Sequence, residues 1–192
     1  MGAELDATIR PTADMNEVHF ERRLDVPVEE AWRYVAEPGL LSKWMGGEVT
    51  RLELVDGGGI TIEMKQVGTT ISCEVLEVDP GRLAVFTWDV PAWGNIPDLV
   101  GSRMRIELRP DGRSTRFLLT HGMPNAAGRE HLMAAAWHDH LDDLEQMVRG
   151  GGEDFVIKPG RLVELTMGYL DRDFQRRRAE YEHFLNIKTT AA

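Results

Sequence analysis

The residue in this sequence best placed to do chemistry is His121. It follows Leu119 by two positions and Phe117 by four, so in a strand all three point to one face. An imidazole on an apolar face can orient a ligand oxygen or take a proton as a general base. The competing reading is a strand-end histidine bonded only to backbone or water, since a polar group in an apolar face is usually just satisfied. Cys73 is the second candidate. Ile71 and Val75 flank it on one face, and neither a Cys–His signature nor a helix amino terminus is near. It therefore reads as a small buried hydrophobe and not as a nucleophile.

His138, Asp139 and His140 invite a metal reading. In a helix, however, His138 and His140 project about 200° apart, and His131 lies two turns, roughly 10 Å, from His138. We expect no metal centre here, and we expect His138 to pair with Asp142 on the surface, at i and i+4. The three glycines at 57–59 lack the Lys-Ser/Thr of a phosphate loop. A Gly-x-Ser-x-Gly elbow is absent, and Glu63 and Glu107 alternate onto a wet face. The sequence calls for no cofactor.

The elements that must hold these residues follow from periodicity. Glu130–Gly150 places Met133, Trp137, Leu141, Leu144 and Val148 four, four, three and four apart, which is one apolar face of a long helix. Asp139, Asp142, Asp143 and Arg149 fall on the other face. Residues 48–121 run at period two, cut by breakers at 57–59, 67–69, 79–81, 91–100 and 110–112 into about six strands. Val18, Phe20 and Arg22 begin an earlier strand that stops before Pro27.

Between that strand and the meander, Val28, Ala31, Trp32 and Val35 and then Leu40, Leu41 and Trp44 predict two short helices, broken at Pro38 and Gly39. Strands joined by short turns must pair antiparallel. The fold class is therefore α+β, a sheet of about seven antiparallel strands wrapped on the long helix. Residues 1–16 read as a flexible tail and 17–150 as the domain. Residues 151–192 read as a helical extension, with Leu170, Phe174, Arg177, Tyr181, Phe184 and Leu185 along one stripe.

Composition narrows the partners. The chain has 192 residues, 42% of them hydrophobic, and a formal net charge of -10. That balance argues against a nucleic-acid or anionic-membrane surface, both of which need clustered Lys and Arg. One cysteine allows no internal disulfide, the opening residues do not look like a signal peptide, and no run approaches the roughly 18 apolar residues of a membrane span. The expectation is a soluble cytoplasmic protein without membrane insertion or nucleic-acid binding.

The order of parts carries a resemblance. A strand, two short helices with Trp32 and Trp44, a meander containing EVLEVDPGRLAVFTW (74–88), a strand ending LTHGMP (119–124) and a closing helix with WHDHLDDL resemble the START-like, helix-grip superfamily called SRPBCC. Within it they are most similar to the family of the activator of heat-shock-protein-90 ATPase homologue. The likeness covers about residues 18–149. Ala136 precedes Trp137 where relatives usually carry Gly, and the extension lies outside the shared domain. The resemblance implies an apolar cavity between sheet and closing helix, used by relatives to hold lipids, polyketides or aromatic compounds.

On that expectation Met64, Cys73, Trp88, Met104, Phe117, His121, Met133 and Trp137 are the candidate ligand-binding residues, each also explicable as ordinary core. Soft Met side chains and flat Trp rings suit an adaptable apolar pocket. A protein that binds a small hydrophobic or aromatic ligand fits best. The alternatives are a cyclase, aromatase or hydrolase using His121, with Trp88 or Tyr34 guiding the substrate, and a co-chaperone-like interaction module. The extension would be a lid over the cavity or the contact of a homodimer.

Overall fold

The computed structural model describes residues 5–65, 68–92, 98–125, 128–150 and 172–190. Eight strands form one antiparallel sheet in the order β1-β2-β8-β7-β6-β5-β4-β3. These are β1 (Thr8–Pro11), β2 (Met15–Leu24), β3 (Glu48–Leu52), β4 (Gly59–Met64), β5 (Thr69–Asp79), β6 (Leu83–Thr87), β7 (Arg103–Asp111) and β8 (Ser114–Pro124). Helices α1 (Val28–Ala36) and α2 (Pro38–Trp44) follow β2, α3 spans Glu130–Gly150 and α4 spans Arg172–Thr190. The six-strand meander and the paired short helices are where the periodicity places them.

Two expectations need correction. The opening tail is not without structure: Thr8–Pro11 pairs antiparallel with Asn16–His19 and becomes an eighth, edge strand. The polar side of α3 is not a solvated face either. His138 and Asp143 are fully buried, and α4 packs along α3.

Alternation selects the inner face of each strand. Val18, Phe20, Arg22 and Leu24 of β2 stand opposite His121, Leu119, Phe117 and Thr115 of β8. Met104, Ile106 and Leu108 of β7 continue the same face, and all of these inner residues are buried. Arg22 is thus a charged residue on an apolar face. The backbone of α3 comes nearest the sheet at β2, and it also touches α2.

The end of α2 fixes that arrangement. Gly46 follows the last turn with φ +78°, a left-handed conformation that glycine adopts without steric cost. A Cβ there would stand 2.9 Å from His140 Cε1 of α3. The glycine lets α3 close onto α2, where His140 Nδ1 donates to the Trp44 carbonyl at 2.7 Å.

Candidate functional site

Trp137, near the middle of α3, is the centre of an aromatic cluster. Its ring centroid lies 5.2 Å from that of Trp88 and 5.2 Å from that of His140, with His121 edge-on at 6.0 Å. Phe86 continues the layer at 6.1 Å from Trp88. Trp88 is just past the end of β6 and His121 near the end of β8, and Met104 of β7 is the cross-strand partner of both His121 and Phe86. Antiparallel pairing thus gathers strand ends far apart in sequence under one helix.

A line of hydrogen bonds runs through the cluster. Trp137 Nε1 donates to His121 Nδ1 at 3.0 Å. An indole nitrogen can only donate, so Nδ1 is the acceptor and the imidazole proton sits on Nε2. That nitrogen is 3.1 Å from Ser102 Oγ, and the Ser102 hydroxyl donates in turn to the Trp88 carbonyl. Ser102 itself is held by Asp89, whose Oδ1 accepts the Gly101 and Ser102 amides at 2.8 and 3.1 Å.

Burial pushes His121 down to about pH 3, because an imidazolium without water or a carboxylate partner is costly in a low-dielectric interior. The ring is therefore neutral across the physiological range. Both nitrogens are occupied, so in this arrangement it has no lone pair to offer a substrate proton. Burial, and then the charge of nearby Asp89, pushes the Cys73 thiol up to about 12, which makes it a poor nucleophile.

Of the eight candidates from the sequence, Trp88, Met104, His121 and Trp137 come together around this line. Met133 lies one turn before Trp137 on α3, and Cys73 lies close to Asp89, next to Trp88. The other two occupy the α2 side of the core. Phe117 packs edge-on against Trp44 at 5.9 Å. Met64, only half-buried, faces Gly47, where a Cβ would meet its Cγ at 3.2 Å. Ser102 escaped the sequence reading. Its signal was available, since it precedes Met104 by two and so shares the inner face of β7. Among the described residues, no group of His, Cys, Asp and Glu has the arrangement of a metal site.

The Activator of Hsp90 ATPase homolog 1-like protein family model matches residues 25–149, from just before α1 to the last turn of α3. The chain belongs to that family. The match takes in every residue of the aromatic cluster, whereas β1, β2 and α4 lie outside it. Solved structures agree on the fold. Protein MLL2253 of Mesorhizobium loti is 24% identical with a TM-score of 0.62, the match covering 70% of this chain and 98% of that one. CalU16 of Micromonospora echinospora is 18% identical with a TM-score of 0.62, over 94% of this chain and 95% of its own. DynU16, a protein of the dynemicin biosynthetic locus, is 20% identical with a TM-score of 0.60, over 70% and 48%. No curated protein matches the chain.

The family's architecture is the helix-grip fold, with α3 as the gripped helix. Among the described residues no helix is long and apolar enough to cross a membrane.

Proposed function

We propose that this family member binds a small uncharged molecule, apolar or aromatic, between the sheet and α3, with Trp88 and Trp137 as its walls. The observation that carries the reading is the composition of the Trp137 cluster. Aromatic faces and the soft side chains of Met104 and Met133 surround one neutral hydrogen-bond line, and none of these side chains is ionised. Such surroundings favour a flat apolar ligand, because dispersion and ring stacking need no charge partner. The Ser102 hydroxyl keeps a second acceptor lone pair, enough to orient one ligand hydroxyl or amine. A fold relative from a biosynthetic locus supports the handling of a small organic molecule.

A cyclase or hydrolase that uses His121 as its base would first have to move the Trp137 indole off Nδ1. A co-chaperone-like module would need a broad exposed apolar patch. Among the described residues the exposed large apolar side chains are Val55, Leu76 and Val100, and these three favour neither alternative. Titration with 1-aminoanthracene, a neutral fluorescent aromatic, tests the binding reading. Saturable enhancement that is lost in Trp88→Ala but kept in Trp32→Ala is expected. Enhancement unaffected by Trp88→Ala would contradict it.

A further inference from the structure

A second set of buried polar groups sits on the other side of α3, away from the aromatic cluster. Arg22, 6% exposed, projects from the inner face of β2. It pairs with Asp6 of the N-terminal segment and, through Nε, with Glu145 Oε1 of α3 at 3.0 Å. Beside it His138 faces Tyr181 of α4, the tyrosine oxygen 2.6 Å from His138 Nδ1. The backbone of Ala7 also hydrogen-bonds to Tyr181. The Tyr181 ring meets Phe20 of β2 edge-on at 6.5 Å. Arg177, one turn earlier on α4, pairs with Asp139 and reaches Asp142 Oδ2 at 3.8 Å. One tyrosine thus touches the N-terminal segment, β2 and α3 together.

We propose that α4 is a releasable clasp, with Tyr181 as its pin, that holds the N-terminal segment and the outer side of α3 against the sheet. Three observations carry this. The seat is small: among the described α4 side chains only Tyr181 and Leu185 are buried. The helix also lies outside the shared domain, since the family match ends at residue 149, before α4 begins. What the clasp holds is also marginal on its own, because β1 is a four-residue edge strand paired only to β2.

Release would be felt inside the domain. Trp137 and His138 are adjacent on α3 and point about 100° apart, one into the aromatic cluster and the other into the clasp. Loosening α3 at His138 therefore loosens the wall that Trp137 forms. The clasp stands whether or not the cluster holds a ligand.

Amide hydrogen exchange on the full chain tests it, with Tyr181→Ala, Tyr181→Phe and Arg177→Met beside the wild type. In Tyr181→Ala, exchange should accelerate on the order of 10-fold in α4, β1 and residues 134–145 of α3 together, with β5–β7 unchanged. Tyr181→Phe and Arg177→Met, which keep the ring in its seat, should accelerate the same three regions less and carry the test if Tyr181→Ala does not fold. Acceleration confined to α4 would overturn the clasp, as would acceleration spread evenly over every strand.

Discussion

Replacing Ser102 by Ala would strand two buried groups at once, the His121 Nε2 proton and the Trp88 carbonyl. A buried polar group without its partner costs about 1–3 kcal/mol. Ser102→Ala should therefore lower the urea midpoint by an amount in that range while the far-ultraviolet spectrum stays native. A midpoint equal to wild type would mean that the hydrogen-bond line is not closed as described. At this scale the sequence was only partly legible. Alternation correctly turned His121 inward, because strand direction is a local property. It does not tell which inward residues meet: Met64 lies against Gly47 and Phe117 against Trp44, away from Trp88. Distance along a strand separates side chains that share a face.

Gly46→Ala tests how α2 and α3 are joined. Alanine at φ +78° is strained by about 1–2 kcal/mol, and its Cβ would also crowd His140. The variant should lose at least that stability in urea and should weaken the His140–Trp44 contact, visible as a shift of the His140 ring resonances; unchanged stability would argue against the close approach. Most elements were legible because their signals are local. Breakers at 57–59, 79–81 and 110–112 separate β3 from β4, β5 from β6 and β7 from β8. The two misreadings have non-local causes. Thr8–Pro11 offers one apolar residue, Ile9, and a proline, and it becomes a strand only by pairing with β2. His138 lies on the polar side of a single helix, but Tyr181 covers it from 43 positions away. A helical wheel contains no second helix.

The whole molecule should be sensitive to mild acid. His121 and His138 are both pushed down to about 3 from an ordinary 6.5, chiefly by burial, with Arg177 and Arg22 adding to the effect at His138. The unfolded chain takes up protons below 6.5 that the folded chain refuses. The stability tied to these neutral rings is complete above that pH and is lost as pH falls toward 3. Between pH 7 and 5 each ring should cost about 2 kcal/mol. Glu107, which its bond to Arg109 holds down at about 2, matters only below the ordinary carboxylate value of 4.5. Urea unfolding at pH 7 and 5, with His138→Gln reducing the difference, checks this; equal stability at both pH values would contradict it. Binding of a small uncharged molecule between the sheet and α3 is tested most directly by the tryptophan indole resonances during titration with a panel of neutral aromatic compounds. At least one compound should shift the Trp88 and Trp137 signals saturably and together, while the Trp32 signal on α1 stays put. A panel that moves neither Trp88 nor Trp137 would contradict the account.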